Sequence, residues 1–217
     1  EDDIDLAYEI NFLFPLKLVN LLKNTKVNFI HFSTETVFDG KKLKKIYNEN
    51  DFPNPISIYG KSKYLGELAA SKYKNTLIIR LPLLFGPTHK KQIISKMLLN
   101  LKLNKKIRVA NDVYYTPAFS PYVAEFLFFI INNKDKFFKK RLIHFDSKNY
   151  YSLSSFIKKL AKIINKDHLV IDVKDSFFRH KNIKPKNLGL KSKYHFNFWK
   201  KNIIHINDKN LIKYIKE

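Results

Sequence analysis

Tyr59 and Lys63 stand four residues apart, downstream of a Ser-Thr pair at positions 33 and 34. On a helix, positions i and i+4 share a face, so the phenol and the ammonium become neighbours. An ammonium beside a phenol favours the phenolate and lowers its pKa, which makes the tyrosine a usable proton donor or acceptor near neutrality. Thr34 follows a short apolar run and falls at the C-terminal end of a strand, where open α/β sheets place ligands. Its hydroxyl can hydrogen-bond a carbonyl oxygen. Together the three groups would polarise a ketone and protonate the alkoxide that forms when hydride arrives.

The spacing alone carries little weight. With 12 tyrosines and abundant lysine, chance supplies roughly two Tyr-x-x-x-Lys pairs. One occurs, and it falls on the helix directly after the strand that ends in Ser-Thr. Competing chemistries are poorly provided for. The seven histidines show no i,i+3 or i,i+4 pairing suited to a metal, so no metal site is expected and each histidine reads as a surface or packing residue. The chain has no cysteine, no Gly-x-Ser-x-Gly elbow and no complete phosphate loop.

The elements that must position these groups follow from hydrophobic period. Ile4, Ala7, Tyr8, Ile10, Asn11, Phe14 and Leu18 recur at helical spacing over residues 3–23, with a kink expected at Pro15. "VNFIHFS" (27–33) reads as a strand. Asn54 is the expected N-cap and Pro55 the first residue of the helix that carries Tyr59 and Lys63. "TLIIRLPLLFG" (76–86) reads as one buried parallel strand. Strand, helix, strand is a βαβ unit, so the fold class is α/β. Beyond Gly86-Pro87 come helices over 89–102, 118–132 and 152–164, and extended segments near 106–110, 141–145 and 169–173, before a lysine-rich tail. The expected organisation is two closely packed lobes, 1–87 and 88–217, with about 118–145 returning to the first.

The 217 residues are 45% hydrophobic, enough for a substantial core. No uncharged apolar run reaches eighteen residues, and the acidic start has no signal-peptide pattern, so a cytoplasmic protein without a membrane anchor is the expectation. The formal net charge of +22 invites a nucleic-acid reading. Its distribution argues against one: lysines are scattered through every segment and only four arginines occur, whereas base and phosphate recognition favours clustered arginine forks. A positive field would still attract a negatively charged small substrate.

"STETVFDG", "YGKSKYLGE" and "IIRLPLLFGP" resemble the consecutive signatures of the extended short-chain dehydrogenase/reductases, and most of all the sugar-nucleotide reductases that act on dTDP-4-dehydrorhamnose. The resemblance implies the C-terminal part of a Rossmann-type parallel sheet with a small substrate-binding α/β lobe. It implies NADPH or NADH as cofactor and a nucleotide sugar as substrate, with a homodimer left open. Thr34, Tyr59, Lys63 and Asn11 match a catalytic tetrad, in which Asn11 supports the lysine. Ser33, Tyr59, Lys63, Pro82 and Leu83 would contact the cofactor. Thr34, Glu35, Thr116 and Lys184 would contact the substrate. The chain departs from the reductase pattern at Glu35 and Thr36, where Asp-Tyr is usual, and at Leu83, where a tryptophan is usual. An epimerase or dehydratase of the same group therefore stays open, as does a non-catalytic regulatory subunit.

A dinucleotide fold also needs a glycine-rich turn after its first strand, so that backbone amides can approach the pyrophosphate. The five glycines, at 40, 60, 66, 86 and 189, make no such spacing. The expectation is an N-terminally truncated sequence, with roughly 60 to 80 residues of βαβ structure ahead of Glu1.

Overall fold

The structure, a computed structural model, describes residues 3–41, 46–87, 92–179, 184–196, 198 and 208–217. The first helical run changes pitch in its middle. It comprises α1 (Ile4–Tyr8), a π-helical segment (Glu9–Leu13) and α2 (Phe14–Leu22). Asp3 caps it by accepting the Leu6 N–H at 2.8 Å. Pro15 has no N–H to give the Asn11 carbonyl, and the backbone accommodates this by widening: the Phe14 N–H bonds Glu9, five residues back. The kink expected at Pro15 takes this form.

The helix that carries Tyr59 and Lys63 is α3 (Ile58–Ser71), and it starts later than Asn54 suggests. Ser57 is the N-cap, its Oγ accepting the Gly60 N–H at 3.0 Å. Asn54 is drawn away, its amide donating to the Asp39 carboxylate at 3.2 Å and its backbone N–H to Val37. Pro55 therefore lies outside the helix.

In chain order the strands are β1 (Phe29–Thr34), β2 (Thr76–Leu81), β3 (Leu84–Phe85), β4 (Ile107–Ala110), β5 (Tyr114–Tyr115), β6 (Ala118–Phe119), β7 (Leu142–His144), β8 (Tyr151–Ser152), β9 (Val170–Val173) and β10 (Asn187–Leu188). Between and after them lie α4 (Ile93–Lys102), α5 (Ser120–Asn132), α6 (Lys134–Phe138), α7 (Leu153–Lys162) and α8 (Lys209–Lys216). The main sheet is parallel in the order β1-β2-β7, with Thr34 opposite Leu81 and Arg80 opposite His144. β2 is its central strand, which is why residues 76–80 are buried without alternation. The single long strand expected over 76–86 is broken: Pro82 cannot donate to a ladder, and the chain leaves the main sheet to pair β3 with β6. The segment 118–145 supplies both β6 and β7, so the chain returns to the main sheet after α4 and β4.

The core runs through Leu77, Ile79, Phe85, Phe119, Phe126, Phe137, Ile143 and Phe145. Within it Arg80 on β2 and Glu67 on α3 form a two-pronged ion pair at 2.7 and 2.8 Å, both side chains nearly free of solvent. This clasp fixes the rotation of α3 over the sheet. A second layer, β4-β9 with α7, covers the other end of the core.

Candidate active-site cleft

β1 ends at Thr34, and the backbone turns at once into a 3-10 turn, Glu35–Val37. Thr34 caps that turn, its Oγ1 accepting the Thr36 N–H at 3.2 Å, with the Thr36 hydroxyl 3.1 Å away. α3 can approach because of Gly60, where a Cβ would overlap the Thr36 carbonyl. The approach brings the Tyr59 phenol within hydrogen-bonding reach of the Thr34 hydroxyl.

Seven of the sequence-predicted residues line one cleft of about 430 Å3: Ser33, Thr34, Glu35, Tyr59, Lys63, Pro82 and Leu83. It opens at the C-terminal ends of β1 and β2, with Leu81 and Leu84 extending the apolar wall on the Pro82 side. Ser33 is buried and its Oγ has no hydrogen-bond partner. Glu35 is buried as well, held by the Leu83 N–H through one oxygen while Oε2 has no partner. Burial holds its carboxyl well above the usual carboxylate range, a rise the Leu83 N–H opposes only in part.

Two of the sequence expectations need adjustment. The i,i+4 spacing predicts that Lys63 depresses the Tyr59 pKa, yet here that pKa is raised: burial acts first, the Glu35 carboxylate adds to it, and the Thr34 hydroxyl opposes both. Lys63 is engaged elsewhere, its ammonium donating to the Phe32 carbonyl at 2.6 Å. Its own pKa is lowered by burial, against the opposing field of Glu67. Asn11 reaches the site through a neighbour, since its amide donates to Ser62 Oγ at 3.1 Å and Ser62 in turn donates to the Tyr59 carbonyl at 3.0 Å.

The remaining two predicted residues lie apart. Thr116 is buried and accepts the Leu190 N–H at 2.9 Å, and it lines a different cavity. Lys184 is exposed and lines neither cavity. Thr36, not among the predicted residues, also lines the cleft. Thr36 had a sequence signature, a second hydroxyl two residues after a strand-end threonine, the pattern of a local hydroxyl-backbone turn. His31 lies inside β1, its Nε2 buried without a partner and its pKa lowered to about 4 by burial and then by Lys63.

A parallel β1-β2-β7 sheet with a cleft at its carboxyl edge makes this a Rossmann-type α/β protein. The chain belongs to the RmlD substrate binding domain family, which its residues 1–203 match. The spore coat polysaccharide biosynthesis protein SpsK of Bacillus subtilis is 33% identical over 128 residues, 58% of this chain and 44% of SpsK. A dTDP-4-dehydrorhamnose reductase structure from Clostridium acetobutylicum superposes with a TM-score of 0.78 at 26% identity, covering 88% of this chain and 66% of that one. The Bacillus anthracis reductase solved with NADP has the same fold, with a TM-score of 0.78 at 22% identity over 100% of this chain and 73% of that one. The chain thus spans less than half the length of the curated relative and about two thirds of the Clostridium structure.

Proposed function

We propose that this chain is the proton-donating and substrate-holding part of an NAD(P)-dependent reductase of 4-keto nucleotide sugars, working in deoxysugar and surface-polysaccharide synthesis. The observation that carries the reading is the convergence of Thr34, Tyr59, Lys63, Pro82 and Leu83 on one cleft. The residues present suit a nicotinamide dinucleotide: Ser33 Oγ is buried without a partner, Lys63 holds an ammonium at the rim, and Pro82 and Leu83 give a flat apolar wall. Bound there, the dinucleotide supplies the hydride.

The chain's own residues do the rest. Thr34 donates to the keto oxygen and fixes its direction. Tyr59 donates to the same oxygen and releases its proton as the alkoxide forms; a phenol whose pKa is raised stays protonated until that moment. Lys63, whose ammonium now donates to the Phe32 carbonyl, would hold sugar hydroxyls of the dinucleotide. Asn11 holds the start of α3 through Ser62, keeping Tyr59 in register. The complete protein should oxidise NADPH or NADH in the presence of a dTDP-4-keto-6-deoxy sugar, and Tyr59→Phe should cut the rate by about a hundredfold or more. Full activity in that variant would remove the mechanism.

Glu35 favours a second reading, a dehydratase. A carboxyl that burial pushes well above the usual carboxylate range, beside Thr34, is an acid suited to expelling a hydroxyl as water. Formation of a 4-keto-6-deoxy product from a nucleotide hexose, lost in Glu35→Gln, would select this reading over simple reduction.

A further inference from the structure

A second cavity lies apart from the Thr34–Tyr59 cleft. It measures about 490 Å3 and shares no lining residue with that cleft. Its walls are the stretch 46–48, the turn after β7 and the segment 190–195, with Thr116 between them. We propose that it is a second ligand site, for a small phosphate-bearing anion with an apolar or ring portion.

Charge is the first argument. Lys148, Lys191, Lys193 and His195 all line the cavity, and the one acid there, Asp146, is already consumed. Its Oδ1 accepts the Lys148 N–H at 3.0 Å, and its Oδ2 accepts the Lys148 ammonium at 2.6 Å and the Ser192 N–H at 3.2 Å. Among the described residues no carboxylate forms an ion pair with Lys191, Lys193 or His195. Backbone geometry is the second argument. Lys191, Lys193 and His195 are exposed, whereas Ser192 between them is buried. Lys148 sits at φ 58, a left-handed conformation that costs a side-chain-bearing residue about 1 kcal/mol and that glycine would occupy freely. A lysine stands there nonetheless, its ammonium held over the cavity by Asp146. Ile46, Tyr150 and Leu190 supply the apolar face. The volume suits a ligand of nucleotide size, within the roughly 300 to 1,000 Å3 of small-molecule sites.

A chain of net charge +22 attracts anions everywhere, so the test must separate this cavity from the general field. Inorganic pyrophosphate is titrated calorimetrically at about 150 mM salt, where the general field is screened beyond about 8 Å. One-site binding is expected. Lys148→Gly and the pair Lys191→Gln/Lys193→Gln should each weaken it by about tenfold. Lys191→Gln/Lys193→Gln, at exposed positions without an ion pair among the described residues, should melt with the parent, so its loss of binding is not a loss of fold. Lys17→Gln/Lys23→Gln, exposed on α2 and at its C-cap, should bind as the parent does. Unchanged binding in the cavity variants, or an equal loss in the α2 pair, would overturn the proposal.

Discussion

The carbonyl of Asn11 occupies the place a side chain on Gly66 would take: a Cβ built at Gly66 overlaps that oxygen. Pro15 deprives the same carbonyl of its helical donor, and the π-helical segment and α3 pack together at this seam. Gly66→Ala therefore has to push backbone against backbone, with no flexible side chain to yield. Overpacking of this kind costs about 1 to 3 kcal/mol. A urea midpoint lowered by that amount, with the m-value unchanged, is the expected result, and an unaltered midpoint would contradict the packing.

The Arg80–Glu67 clasp gives a sharper expectation. Glu67→Gln keeps shape and removes the charge, leaving a buried guanidinium with His144 Nε2 at 3.3 Å as its other side-chain partner. Breaking one side of a buried pair costs on the order of 3 to 5 kcal/mol, whereas replacing both partners by apolar groups is often neutral. Denaturant unfolding should show Glu67→Gln strongly destabilised and Glu67→Leu/Arg80→Met less so. Equal losses in the two would mean that the pair gives more than charge balance.

Much of this was readable in the residues, and the failures have physical causes. The parallel βαβ core followed from the near-continuous apolar run at 76–86, broken by Arg80, because a strand covered on both faces has no alternation to display. The cleft followed from Ser-Thr at a strand end and the Tyr-Lys spacing on the next helix. Asn54 misled because Asp39, fifteen residues earlier in the chain, takes its amide, a tertiary contact that no local propensity contains. Pro82 was read through rather than as a break, although its missing N–H is what sends the chain to a second sheet. The Tyr59 pKa went the other way because spacing gives a shared face but neither burial nor the competing Phe32 carbonyl. Two-residue strands such as β5, β8 and β10 have no period to detect.

Thr36 should matter to any chemistry at Thr34. The Thr34 oxygen accepts the Thr36 N–H, and the Thr36 hydroxyl lies 3.1 Å from it; when that hydroxyl is the donor, the Thr34 proton is left to point at the substrate. Thr36→Val removes that hydroxyl at nearly constant shape. A fall in kcat of roughly tenfold, the size of one neutral hydrogen bond of about 1.4 kcal/mol, is expected with KM little changed. Thr36→Ser should recover most of the loss. If the Val and Ser variants behave alike, the hydroxyl has no part in orienting Thr34.

Acid should weaken the fold through its buried histidines. The His144 pKa is lowered to about 3, by burial first and then by the Arg80 guanidinium, with the Tyr47 and Lys191 backbone groups opposing. The folded state therefore binds its proton far below the ordinary value of about 6.5, so between those values the unfolded chain holds more protons and stability rises with pH. Going from pH 7 to pH 5 should cost about 2 kcal/mol through His144, and about as much through His31. Glu35 acts in the opposite sense over the same window, since its raised folded pKa favours the folded state as pH falls toward its unfolded value. The total slope thus mixes signs, and the clean quantity is a difference. His144→Gln cannot titrate, so its stability gap to the parent should move in the variant's favour by about 2 kcal/mol as pH falls from 7 to 5. A gap independent of pH in urea titrations would show that His144 carries no suppressed protonation.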